Sequence, residues 1–215
     1  MPIKPKRVFF TPYTPDVDVI CLAQQAAGAG SLLLNGAAVV HGVASFGTAE
    51  TEYQEVGYQL CLVSTGNLSG VNFTVTGTDA EGNALSEIIA GPNNNTVETT
   101  GYFKTVTSIT VDGAVGTNVT IGTVDEFVTK PIPVDIYCDM TTLDVDVSGT
   151  INYTSQFCYQ RPTAGETPVW GDSIAAGAVD ASYIHEGCIG AVRLLGNSFT
   201  AGATIALLIR QPRYN

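Results

Sequence analysis

The sequence predicts an all-β protein, and three observations carry that expectation. The chain is rich in Thr (26) and Val (23) and poor in Lys (4); β-branched side chains are stiff at χ1 and suit a pleated surface. Apolar and polar residues alternate at 71–76 and 143–147, the period of a half-buried strand. The 23 Gly punctuate short apolar runs, at spacings near the roughly 8–12 residues typical of sandwiches and barrels. Charged residues make up only 13% of the chain, which argues against a helical bundle built on Glu/Lys faces. The expected architecture is an antiparallel β-sandwich or jelly-roll-like body, or two similar sub-sandwiches, with an extended N-terminal arm. Its expected divisions are an arm at 1–16, a first β domain or half-sandwich at 17–129 and a second at 130–215.

The arm comes first. Pro2, Pro5, Pro12 and Pro15 oppose regular structure and favour an extended chain. Lys4, Lys6 and Arg7 are three of the nine Lys and Arg. A basic, extended arm on an acidic body suggests a strap onto another subunit. Its expected contact residues are Lys4, Lys6, Arg7, Val8, Phe9 and Phe10, with the body folding without it.

Residues 17–22 alternate weakly, and 31–36 read as a strand entering an Asn-Gly turn. Residues 58–63 (Tyr-Gln-Leu-Cys-Leu-Val) form a strand. At 71–76, Val71, Phe73 and Val75 face one way and Asn72, Thr74 and Thr76 the other. The turn at 79–83 (Asp-Ala-Glu-Gly-Asn) returns into 84–89. Residues 103–111 and 118–124 read as a hairpin around 112–116. Lys130-Pro-Ile-Pro is the expected linker. Beyond it, 134–138, 143–147 and 150–159 read as strands, and 161–177 as a loop carrying Trp170. Residues 173–183 fit a short helix weakened by Gly177, and 190–195 with 203–210 a last hairpin. Residues 58–125 and 134–211 therefore share a faint hairpin–loop–hairpin repeat.

A net charge of −11 and a sequence pI near 4.3 argue against nucleic-acid binding and against adhesion to an anionic membrane. No apolar run approaches a membrane span, and prolines interrupt any secretory h-region, so a soluble, cytosolically made protein is expected. Cys21, Cys61, Cys138, Cys158 and Cys188 have no Cys-x-x-Cys spacing and sit among strand formers, as reduced core thiols do. His41 and His185 are isolated. No Gly-x-Ser-x-Gly, HExxH, phosphate loop or dinucleotide fingerprint occurs. Asp79, Glu81, Asn83 and Glu87 form a fragment of a calcium loop without its full spacing, and Asp144 and Asp146 share a strand face near Asp139. The expectation is a non-enzyme with no catalytic residues, no cofactor and no metal.

One stretch is familiar. Residues 66–87 (Gly-Asn-Leu-Ser-Gly-Val-Asn-Phe-Thr-Val-Thr-Gly-Thr-Asp-Ala-Glu-Gly-Asn-Ala-Leu-Ser-Glu), 89–93 and 102–110 resemble segments of tailed-bacteriophage virion proteins, as do 22–36 and 200–210 in style. The resemblance implies a structural component of a phage particle, most of all a capsid decoration or cement protein. Its expected partners are the major capsid protein and copies of itself, as a homotrimer or dimer. The expected location is the virion, after synthesis in the host cytoplasm. The alternatives are a head–tail neck or tail structural protein and, from another class, a carbohydrate-binding or glycan-hydrolysing β domain.

Overall fold

A computed structural model describes residues 5–46, 55–163 and 168–212. Strands take up 62% of it and no described residue is helical, so the fold is all-β, built of antiparallel sheets packed as a β-sandwich. In chain order the strands are β1 (Lys6–Phe10), β2 (Cys21–Ala26), β3 (Gly30–Ser31), β4 (Val39–Val40), β5 (Val43–Ser45), β6 (Val56–Ser64), β7 (Asn72–Thr78), β8 (Ala84–Ala90) and β9 (Thr96–Phe103). There follow β10 (Thr105–Val111), β11 (Val115–Thr129), β12 (Ile132–Pro133), β13 (Met140–Ser148), β14 (Ile151–Cys158), β15 (Gly171–Gly177), β16 (Ala181–Glu186), β17 (Ala191–Phe199) and β18 (Thr204–Arg210).

Two compact units result. One, nested in the sequence, comprises Pro15–Gly47 and Val56–Glu126; the other encloses it in sequence, as Met1–Thr14, Thr48–Glu55 and Phe127–Asn215. In the nested unit one sheet runs β4-β5-β10-β7-β8, with β3 also on β10. In its other sheet β6 lies between β9 and β11, with β2 on β11. Phe73, Val75, Ile109, Leu60, Leu62, Val119 and Ile121 form its core, all essentially inaccessible.

In the enclosing unit one sheet runs β1-β18-β13-β16. In the other, β14 lies between β15 and β17, and the outer edge of β17 carries β12 and residues 127–128 of β11. Leu143, Val145, Tyr153, Leu194, Ile205 and Leu207 are buried here. Along β13 the alternation holds: Leu143 and Val145 point inward, Asp144 and Asp146 outward.

The two units follow one plan. Strands β6 to β11 and strands β13 to β18 are two sets of six. In each set the first, fourth and sixth strands share a sheet in the order fourth-first-sixth. The second, third and fifth share the other, in the order third-second-fifth. The flanking partners match as well. The sixth strand takes an antiparallel partner from earlier in the sequence, β2 on β11 and β1 on β18. The fifth strand takes two short segments end to end. These are β5 and then β3 on β10, and β12 and then residues 127–128 on β17. The second strands carry a matching Asn-aromatic-Thr sequence, Asn72-Phe73-Thr74 on β7 and Asn152-Tyr153-Thr154 on β14, with Phe73 and Tyr153 both fully buried.

The repeat lies in strand order: the second and third strands pair as hairpins in both units, β7 with β8 and β14 with β15, but the last expected hairpin of each half does not form. Residues 103–111 and 118–124 do not pair, nor do 190–195 and 203–210: β10 and β11 belong to different sheets, as do β17 and β18. The turns between them carry the chain from one sheet to the other. Residues 173–183 are strand on both sides of a short break, not helix, because β15 pairs with β14 and β16 with β13; tertiary pairing overrides the propensity of an Ala/Ser-rich tract. The Lys130-Pro-Ile-Pro stretch is no loose linker. Ile132 is fully buried opposite Val192, and Pro133 sits on a short ladder where its missing N–H is tolerated.

The expected extended arm is in part a strand of the chain's own sheet. Its prolines bracket residues 6–11 instead of interrupting them, and β1 forms in that gap, antiparallel to β18 with Val8 opposite Leu207 and Phe10 opposite Ile205.

Candidate functional site

Of the expected arm residues, Lys4 lies outside the described residues. Val8 and Phe10 are buried in the core of the chain's own enclosing unit, at 5% and 2% exposure, while Phe9 on the opposite face is 46% exposed. The Lys6 ammonium donates to the Pro133 carbonyl at 2.9 Å. Arg7 pairs with Asp146 at 3.4 Å, both largely exposed; such a pair is worth at most about 1 kcal/mol. Full burial of Val8 and Phe10 contributes about 1.5–3 kcal/mol each. Val8 and Phe10 thus pack into the chain's own body, and Phe9 is left open. Below β1 a cavity of about 380 Å³ is lined by Lys6, Pro133, Asp135, Arg161, Ile209 and Gln211. Arg161 donates to the Val134 carbonyl at 3.3 Å, and Gln211 clasps Asp135 through both main-chain groups. Here Lys6 ties β1 to the end of β12, and Arg161 ties the segment after β14 to the residue after β12.

A second concavity, of about 360 Å³, opens in the same unit between the end of β14 and the start of β15. Phe157, Cys158, Tyr159, Gln160, Val169, Trp170 and Gly171 line it. Phe157 and Tyr159 meet edge to face at 5.3 Å. The Arg193 guanidinium lies 4.1 Å from the Trp170 ring centre, and Arg193 is itself held by Gln156, which bonds Asp172. Behind Phe157, at 4.2 Å, stands the His185 ring. His185 is 6% exposed and its Nε2 has no hydrogen-bond partner. Burial holds its pKa below the ordinary histidine value. Reasoning from the sequence missed this aromatic cluster, because Phe157, Trp170 and His185 are separated along the chain and are brought near one another only through β14, β15 and β16. The signal available was a lone Trp in a long connection next to a Phe-x-Tyr strand end.

The other candidates resolve into structural roles. The Asp79 carboxylate accepts the N–H groups of Glu81 and Asn83, both at 2.9 Å, and so closes the β7–β8 turn. Glu87 accepts from the Thr100 and Gly101 N–H groups at 2.8 Å and ties the edge strands β8 and β9 together. Asp144 bonds Arg210 and Ser182, and Asp146 bonds Arg7. Asp139 contributes its main-chain carbonyl, to the Gly187 N–H. Among the described residues no group of three or more His, Cys, Asp or Glu side chains comes together to hold a metal ion. His41 occupies, with Gly42, the two-residue turn between β4 and β5; both have positive φ, 52° and 80°, as a type I′ turn requires.

All five cysteines are free. Cys21, Cys61, Cys138 and Cys158 are buried, but Cys188 is exposed, contrary to the expectation that all are internal. Burial pushes the Cys21 thiol up to about 12 and the Cys61 thiol to about 11, which leaves them without reactive thiolate at neutral pH. No protein-family model matches the chain and no curated protein matches it in sequence.

Proposed function

We propose that the chain is a non-enzymatic structural component of a phage particle, a capsid decoration or cement protein that stabilises the shell. The observation that carries this reading is the duplicated sandwich. One chain presents two modules of the same strand order, so three chains offer six like modules to a shell whose subunits repeat around local symmetry axes. Many weak contacts summed over such copies give avidity without any strong single site. The phage-like segments 66–87, 89–93 and 102–110 support the same reading; they take in β7, nearly all of β8 and most of β10. The proposed partners are the major capsid protein and further copies of this chain, and the proposed location is the virion. The neck or tail alternative is separated by copy number. Mass spectrometry of purified particles should find the chain in hundreds of copies; a count near a dozen moves it to the neck. Particles lacking it should assemble but lose their genome at lower temperature or under osmotic shock.

A second reading is favoured by the cleft at Trp170. A flat aromatic flanked by Tyr159 and Gln160 suits the apolar face and hydroxyl edge of a sugar ring. Titration with host-surface oligosaccharides, read by Trp170 emission, tests it; an unchanged spectrum rejects glycan binding.

A further inference from the structure

The place of β1 in the duplicated plan carries an inference about how copies join. The strand that completes the nested unit, β2, comes from the sequence just ahead of that unit's other strands. Its counterpart β1 belongs to the enclosing unit but is separated from the rest of that unit's described strands by the whole nested unit. Between β1 and Asp16 of the nested unit lie only Thr11-Pro12-Tyr13-Thr14-Pro15. Asp16 is already fastened, its carbonyl accepting the Thr123 N–H at 2.8 Å. Five residues reach at most about 17 Å, and two prolines stiffen them. A short, stiff hinge joining a complete module to one strand of another favours exchange between chains.

We propose that β1 is an exchangeable strand: in an assembly, β1 of one copy pairs with β18 of a neighbouring copy and completes that neighbour's enclosing unit. The exchange reproduces every contact of the closed chain. Val8 and Phe10 fill the same core positions, Lys6 reaches the same carbonyl at Pro133, and Arg7 faces the same Asp146. The only free-energy difference lies in the hinge and in concentration, so raising the local concentration on a surface drives chains to link. The partner is a second copy of this chain, and the receiving surface is the outer edge of β18. The inference deepens the self-association in the proposed function and is separable from it. Copy number on particles tests the shell, whereas the following cross-link tests the strand in purified protein alone.

Arg7 and Leu208 are cross-strand partners on the less buried face of the β1–β18 ladder. In a full-length Cys188→Ser background, Arg7→Cys and Leu208→Cys are made singly and together. The two single variants are co-expressed and oxidised at increasing protein concentration, and Trp170 emission confirms that each is folded. Exchange gives a disulfide-linked dimer of the two single variants, rising with concentration and at least tenfold above a control pairing Arg7→Cys with Glu81→Cys; the double variant gives multimers linked in series. A double variant that closes only on itself, with no dimer above control from the two singles, overturns the proposal. So does a double variant that forms no 7–208 bond at all.

Discussion

β2 and β1 occupy the same position in their two units, yet they are built differently. β2 buries only Cys21 against β11 and is otherwise half-open. β1 buries Val8 and Phe10 against β18. The strand that must be recruited from the far end of the sequence carries the larger apolar anchor, as expected if burial must offset a costlier loop closure. The connections diverge too. The second-to-third link of the nested unit is the tight turn 79–83, held by Asp79. In the enclosing unit the same link runs from 159 to 170 and contributes the aromatic cleft. Where the nested unit fastens its edge strands β8 and β9 with the Glu87 carboxylate, the enclosing unit sets His185 of β16 against Phe157 of β14. Strand order and buried positions are held in common, and the divergence falls in the connections and edges, where binding sites are usually placed.

The largest test of that comparison is Phe10→Ala. It should destabilise the enclosing unit by about 3–5 kcal/mol and leave the nested unit protected. Trp170 is the chain's only Trp, so denaturation followed by its emission reports the enclosing unit, while hydrogen exchange follows the nested one. Equal loss of protection in both would show that the units do not unfold separately. Next come two glycines whose missing side chains admit a neighbour. A Cβ at Gly77 would lie 1.8 Å from the Thr105 carbonyl oxygen, and one at Gly196 2.1 Å from the Phe127 ring. Gly77→Ala and Gly196→Ala should each cost about 1–3 kcal/mol or more, the former the greater because main chain yields less than a ring. Thermal melts of the two variants rank them.

Glu87→Ala should cost about 1–2 kcal/mol by leaving the Thr100 and Gly101 N–H groups without their carboxylate. Faster exchange confined to β8 and β9 is the expected signature. The smallest effect is pH-dependent. His185 has its pKa lowered by burial, so the folded state holds fewer protons than the unfolded one. Its contribution is complete above the unfolded value near 6.5 and declines as pH falls from there toward the folded value, by at most about 1.4 kcal/mol per pH unit. His185→Phe should flatten the pH 7 to 5 dependence of the Trp170 transition.

The strands themselves were legible because alternation records burial directly, as at Phe73 and Val75 or Leu143 and Val145. Their pairing was legible at the 79–83 hairpin but not at the last turn of each unit. Asp112-Gly113 looks like hairpin chemistry, but a turn does not encode whether the chain returns to its own sheet or crosses to the facing one; Asn197-Ser198 looks like a turn too, yet lies inside β17. β1 was hidden by prolines that stand at its two ends, and the helix expected at 173–183 by small side chains that suit either state. The candidate surfaces were harder still. Phe9 and Arg7 were visible as an arm, but that Val8 and Phe10 fill the chain's own core depends on β18, and the cleft at Trp170 depends on the end of β14 meeting the start of β15.

The pairing of Phe10 with Ile205 also sets a schedule for synthesis. On a ribosome adding roughly 5–20 residues per second, β1 emerges some 10–40 s before β18 exists. The nested unit can fold in that interval, since all its strands lie between them. Val8 and Phe10 meanwhile have no β18 to cover them. Neighbouring ribosomes on one message hold chains at different stages of this wait. The first β18 that a given β1 meets can then belong to an older chain, so linkage between copies would begin before the protein is released.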